Sequence, residues 1–360
     1  MIDTQRENIQ QLLEMLIRPS GNTPIQHALL YWQEGSVGAP LVLTAGNLSR
    51  EQAIDGIRLR TGSMTKPFTA ALILQLVEAG RLRLGDGLLD LMGESDRDLV
   101  EPLLYIDGVN FTEEITVAHL LRHRSGLRDY FSDDERFVEE LFRDPDRQWD
   151  WRSVMETYYR FELHRPGIGR PGDLFHYADT NYLLLARLAE VCTGRTYAEL
   201  LTERIILPLG LTNTYLEFYQ EALTDREMVY PHYGPHSLEK VNTSFDWGGG
   251  GLVATPRDLD TFFRALLAGK LFQDKSTLEY LPGFRDMPTA DSDRRAIYGL
   301  GLQQKQFGDL QMIGHNSAYG AMYYYAPERD LSIFLSVNQA AAMHKAEWLL
   351  DRVMKTYLAG

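Results

Sequence analysis

Ser63, Met64, Thr65 and Lys66 form an S-x-x-K pattern. On a helix opened by the serine, a lysine three residues on shares its face, so its amine reaches the hydroxyl. Burial against an apolar helix disfavours the ammonium form, and such a lysine accepts a proton near neutral pH. A serine N–H at a helix start is also placed to meet a developing oxyanion. The pattern is short, and average composition produces it about once by chance in a chain of this length. A second copy does occur, Ser237 to Lys240. That copy lies in the polar, turn-rich PHYGPHSLEKVN, whereas Ser63 follows IRLRTG and precedes KPFTAALILQLVEAG, which is apolar nearly all round. Context therefore favours Ser63 over the second copy as the candidate nucleophile, with a helix-capping serine and a solvated lysine as the alternative.

Other routes to catalysis have little to stand on. G-x-S-x-G and H-E-x-x-H do not occur, nor do G-x-G-x-x-G and the phosphate-binding loop pattern. His119 and His123 are spaced i, i+4, as are His232 and His236, but neither pair has a third ligand nearby in sequence. No metal and no cofactor are expected. The single cysteine, Cys192, lies in an apolar-periodic run and reads as a small core residue.

The elements that must position Ser63 follow from periodicity. Ile9, Leu12, Leu13, Leu16 and Ile17 predict an amphipathic helix ended by Pro19. Residues 27–33 and 40–45 read as strands, and residues 65–80 as a buried helix with Gly80 as its C-cap. Helices are expected at 115–123, 149–161, 181–192 and 197–207, and strands at 297–304, 310–314, 321–326 and 331–337, the last two joined by the turn PERD. Residues 346–358 close the chain as a helix. The class is α+β: one antiparallel sheet built from both ends, covered by terminal helices, with a mostly helical lobe inserted. The sheet lobe is assigned 1–84 and 241–360 and the helical lobe 85–240, with the site in the cleft between them.

Fifty acids against 36 Lys and Arg give a net charge of −14, which disfavours nucleic acid and anionic membrane surfaces as partners. The polar, mixed-charge N-terminus has no signal-peptide pattern, and no stretch approaches the ~20 apolar residues of a membrane helix. A cytoplasmic location follows as the expectation, with oligomeric state open.

Five segments, in order, carry a resemblance. TGSMTKPFTAALILQLVEAGRLRL, LLRHRSGLRDY, PGDLFHYADTNYLLLARLAE, GGGGLVATPRDLDTFFRALLAGKL and IGHNSAYGAMYYYAPERDLSIFLSVN span roughly residues 58 to 338. Together they resemble the serine β-lactamase-like, penicillin-recognising hydrolases: class C β-lactamases, D-stereospecific amidases and aminopeptidases, DD-carboxypeptidases and related carboxylesterases. The resemblance implies a β-lactamase-like fold. It also implies that Tyr177 works with Lys66 on the Ser63 proton. The N–H groups of Ser63 and Ala318 would hold the oxyanion, and His315, Asn316 and Ser317 would line the substrate strand. His123 and Ser125 read as structural.

Two departures from the family pattern shape the expected chemistry. The second motif reads Tyr177-Ala178-Asp179 where the family has Tyr-x-Asn. A carboxylate near Lys66 would keep that lysine charged and leave Tyr177 the better base, or would bind a substrate ammonium. The third motif reads His315-Asn316-Ser317, where a glycine is more usual third. Ser317 would add bulk and fit a bicyclic β-lactam poorly. The expected activity is acyl-enzyme hydrolysis of amides or short D-configured peptides. A carboxylesterase, an acyltransferase or weak β-lactamase on the same machinery, and a catalytically silent binding protein are the alternatives.

Overall fold

The computed structural model describes residues 2–17, 23–281, 284–289 and 295–359. Its sheet strands are β1 (His27–Glu34), β2 (Leu41–Gly46), β3 (Arg285–Pro288), β4 (Arg295–Tyr298), β5 (Gln303–Phe307), β6 (Leu310–Ser317), β7 (Ala321–Ala326) and β8 (Leu331–Ser336). The helices that matter for the site are α1 (Asp3–Leu16), α2 (Lys66–Glu78), α3 (Glu135–Arg143), α4 (Asp179–Thr193) and α5 (Met343–Leu358).

The eight strands form one antiparallel sheet in the order β3-β4-β5-β6-β7-β8-β1-β2. Strand β1 from the start of the chain thus pairs with β8 from its end, as the two-ended sheet requires. The pleat puts alternate side chains on opposite faces. Leu30, Trp32, Met322, Tyr324, Ile333 and Leu335 pack one face against α1 and α5. Leu29, Tyr31, Tyr323 and Phe334 face the other way, into a larger core shared with α2 and α4. Ten of the thirteen residues of α2 are buried, Lys66 among them. A helix so enclosed has no polar face to give to solvent, which is why its sequence is apolar all round.

Several elements depart from the periodicity reading. The apolar run 297–304 is broken between β4 and β5 by a turn at Gly299–Leu302. The expected helix 115–123 is only Val117–Leu121, because His123 takes a left-handed backbone with φ 53°. Residues 197–207 form a helix to Leu201 and then a wider turn over Thr202–Ile206. A second, four-stranded sheet joins Arg58–Arg60 to Leu252–Ala254, Tyr215–Leu216 and Met228–Val229, so one sheet was too few. Its strands are two or three residues long, too short for alternation to register. Pro19, expected to end α1, lies outside the described residues.

Candidate active site

The IRLRTG segment delivers Ser63. Arg58–Arg60 is held in the small sheet, and the chain then turns through Gly62 into a tight turn that runs on into α2. Gly62 has φ +52°, and a Cβ there would stand 2.4 Å from Ser317 Oγ and 3.0 Å from the Tyr319 ring. Glycine is required on both counts. This contact brings the turn before α2 against the end of β6, which runs on into Ala318.

Lys66 is fully buried, and its ammonium has three partners: Ser63 Oγ at 3.2 Å, the Gly249 carbonyl at 2.9 Å, and the Asp179 carboxylate in a close ion pair. Three N–H groups meet three acceptors, so the charged form is fully satisfied. Burial pulls the lysine pKa down, but Asp179 and, less, Tyr177 outweigh it, and the net shift is upward. The chain approaches through glycines here: a Cβ on Gly249 would lie 3.1 Å from Asp179 Oδ1. Glycine at 249 lets a backbone carbonyl act as the third acceptor. The sequence reading did not assign that role, although it matched the GGGG segment to the family.

Tyr177 packs its ring 4.8 Å from Lys66 Nζ. Its hydroxyl is buried beside Lys66 and Ser63. The phenol is raised to about 12, by burial first and by Asp179, against the lowering effect of Lys66 and Ser63. The ring stacks on His123, centroids 4.2 Å apart. His123 accepts from the Ala178 N–H and the Asn181 amide through Nδ1, so the neutral ring carries its proton on Nε2, which has no partner. Burial and the Lys66 charge hold its pKa well below normal. The side chain read as merely structural therefore forms the floor under Tyr177.

Of the three strand residues expected at the substrate, Asn316 turns away from the site, and Ser317 and His315 are bonded within the protein. Asn316 points to the opposite face of the sheet, where it accepts from Tyr324 OH at 2.7 Å and donates to Glu347 of α5 at 3.2 Å. Period-2 alternation decides this, since its neighbours His315 and Ser317 face the site. Ser317 is buried, and its hydroxyl lies toward Gly62 and accepts from the Tyr319 N–H, so its bulk does not enter the cleft. His315 is buried too, with Nε2 bonded to Tyr298 OH at 2.9 Å and Nδ1 to the Asn316 carbonyl at 2.6 Å. Burial, then the Lys66 charge, depress its pKa to about 3, which leaves no cation for a substrate carboxylate. Ala318 is exposed in the turn after β6, and Ser63 is partly exposed. Asp179 is committed to Lys66.

Two further carboxylates escaped the sequence reading. Asp129 accepts from the Asp179 N–H at 2.8 Å, and Asp246 accepts from Tyr319 OH at 2.6 Å. Burial, and next the Asp179 charge, raise both to about 7. Nothing in their local sequence marks them, because the fold alone brings them near Asp179. A carboxylate raised in the folded state adds stability that is present below the unfolded pKa and lost as pH climbs through the folded one. Buried His123 and His315 act oppositely, but only below about pH 6.5. Between pH 6.5 and 8 the melting temperature is therefore expected to fall, and Asp246→Asn to flatten that fall, measurable by thermal melts at each pH.

Among the described residues no group of three or more His, Cys, Asp and Glu is arranged to hold a metal ion, and no helix is long and apolar enough to cross a membrane.

Comparison with known proteins places this geometry. The chain is 29% identical over 179 residues to penicillin-binding protein 4 of Amycolatopsis lactamdurans, covering 49% of this chain and 40% of that protein. It is 24% identical over 329 residues to a D-aminopeptidase of Cereibacter sphaeroides, covering 87% and 57%. The chain thus spans about half the length of the curated relatives it matches. A D-stereospecific amidohydrolase from Streptomyces superposes with a TM-score of 0.76 at 24% identity, over 95% of this chain and 97% of that one, which establishes the β-lactamase-like α+β fold. The Beta-lactamase family model matches residues 55–353. Ser63, Lys66, Tyr177, Asp179 and Gly249 all fall within that match, and the chain belongs to the beta-lactamase family.

Proposed function

We propose that the chain is a serine hydrolase working through an acyl-enzyme, on amides or short D-configured peptides. The observation that carries this is the Lys66 ammonium, fully buried and 3.2 Å from Ser63 Oγ, with the Tyr177 ring 4.8 Å from the same ammonium and its hydroxyl buried beside Ser63. The approach lies in the cleft between residues 1–84 with 241–360 and residues 85–240, a division that this reading assumes.

Ser63 Oγ attacks the carbonyl carbon while its proton passes to Tyr177 as phenolate, a form favoured by Lys66, which stays an ammonium throughout. The N–H groups of Ser63 and Ala318 receive the oxyanion. The C–N bond then breaks, and the leaving amine takes the proton from Tyr177. Water attacks the acyl-enzyme, gives its proton to Tyr177, and the free acid leaves as the proton returns to Ser63. The D-amide assignment draws on the D-aminopeptidase relative and the D-stereospecific amidohydrolase neighbour. Esters remain the second substrate class, since the same steps cleave a C–O bond.

The test is covalent. A fluorophosphonate is expected to add one equivalent to the protein, on the peptide that contains Ser63 by mass spectrometry. D-aminoacyl p-nitroanilides are expected to be hydrolysed faster than their L-enantiomers. Labelling elsewhere, or none, would remove the proposal.

A further inference from the structure

Beside the oxyanion turn lies a cavity of about 560 Å³ that the mechanism above does not use. It is walled by α3, by the 232–245 segment and by the turn that carries Ala318 and Tyr319. Phe131, Phe142, Tyr233 and Phe245 supply aromatic rings to its lining. Phe131 and Phe245 stack with centroids 5.6 Å apart, and Phe142 reaches toward Tyr233 at 5.9 Å, its side chain still 39% exposed. The volume falls within the ~300–1,000 Å³ usual for small-molecule sites. The rim has one sign. Glu135 and Glu139, one helical turn apart on α3, both line it, and the lining holds no lysine or arginine. Like charges at i, i+4 repel, and here they confront any anion at the mouth.

We infer that this cavity is the side-chain subsite of the enzyme, taking a bulky, uncharged apolar or aromatic group next to the scissile carbonyl and rejecting anionic ones. The inference rests on the reading of Ser63 as nucleophile. Its link to that reading is Ala318, which lines the cavity and whose N–H is the proposed oxyanion donor. In this reading one substituent of the bound carbonyl extends past Ala318 into the cavity. Removing an aromatic ring from water into such a cavity is the main source of selectivity on offer, because the polar groups of the site are engaged with one another.

Two substrate series distinguish the acyl side chain from the leaving group: D-aminoacyl p-nitroanilides with D-Ala, D-Leu, D-Phe and D-Glu, and D-alanyl amides of methylamine and benzylamine. In the aminoacyl series the larger apolar members are expected to have kcat/KM higher by roughly tenfold or more, with D-Glu the poorest, and a preference confined to the amide series would overturn the assignment. Val138, on α3 and lining the cavity, offers the decisive change. Val138→Trp is expected to lower that preference about fivefold or more by filling the space. Phe142→Ala, at a half-exposed position, is expected to lower it about two- to fivefold, so a folding failure of the tryptophan variant does not end the test. Val37→Trp, at an 88% exposed turn position, should leave the ratio as it was.

Binding separates the two readings. D-phenylalanine amide should bind Ser63→Ala more tightly than D-alanine amide by calorimetry, and Ser63→Ala with Val138→Trp should lose that difference. Equal binding of the two amides, or ratios that ignore both α3 variants, would overturn the subsite whether or not turnover is seen. Absent turnover and absent fluorophosphonate labelling, with the binding difference intact, would overturn the hydrolase reading alone.

Discussion

Lys66→Met is expected to lower kcat/KM by about 10³-fold or more and to destabilise the fold by about 3–5 kcal/mol. The first effect follows from losing the charge that favours a phenolate at Tyr177 and orients Ser63. The second follows from what is left behind, since the Asp179 carboxylate, only 12% exposed, would face methionine instead of an ammonium. Stability and activity are then separable. Lys66→Met with Asp179→Asn should recover most of the lost stability, because no buried charge remains unpaired, and none of the activity. Asp179→Asn alone makes the complementary point. Burial acts to lower the Lys66 pKa and Asp179 is the main group raising it, so the substitution should let Lys66 lose its proton at a lower pH. The pH–rate profile should shift toward acid, with Lys66 now able to share the work of a base. Urea unfolding gives the stabilities, and kcat/KM against pH gives the rest. Single-variant and double-variant stabilities that simply add would show that Lys66 and Asp179 are not energetically coupled.

Tyr177→Phe should lower kcat by about 10²- to 10⁴-fold and yet leave the melting temperature unchanged or raised. Most losses of a buried hydroxyl cost stability because a partner is stranded. Here Lys66 keeps Ser63, Asp179 and the Gly249 carbonyl when the hydroxyl goes, so its removal strands little, and the ring keeps its stack on His123. Ser63→Ala sets the floor against which the loss is judged, and the double variant should be little worse than either alone, as for groups that act as a unit. The wild-type pH profile carries the same signature. With the phenol pushed up to about 12 it is protonated at neutral pH, and the phenolate fraction grows about tenfold per pH unit below that value. kcat/KM should therefore climb between pH 7 and 10, and Tyr177→Phe should lose that climb. A Phe variant that melts several degrees lower would mean that the hydroxyl has a structural partner.

The sequence carried the sheet well where strands are long. Ala321–Ala326 and Leu331–Ser336 are runs rich in Tyr, Leu and Ile, buried almost throughout, and PERD turns between them, with Asp330 in the left-handed conformation. It carried α2 because burial on all sides leaves no other composition possible. It also placed Ser63 and Lys66 on one helix turn. It did not carry the direction of Asn316. The resemblance supplied three consecutive residues as substrate contacts, and a strand can turn at most alternate ones to the same face. Nor did it show the cavity, whose walls come from residues 131–142, 233–245 and 318–340.

The limit has a physical basis. Hydrophobic period, turn chemistry and the i, i+3 spacing of Ser63 and Lys66 are properties of neighbouring residues, fixed by covalent geometry before any tertiary contact forms. What the ammonium of Lys66 meets is a matter of distance through space: Asp179 lies 113 residues further along, and the Gly249 carbonyl 183. Protonation follows burial and charge at that range. The amino-acid order therefore determined the family, the sheet and the candidate nucleophile, whereas only the folded chain decided that Lys66 is held charged, that the Tyr177 phenol is buried beside it, and that a cavity opens beside Ala318.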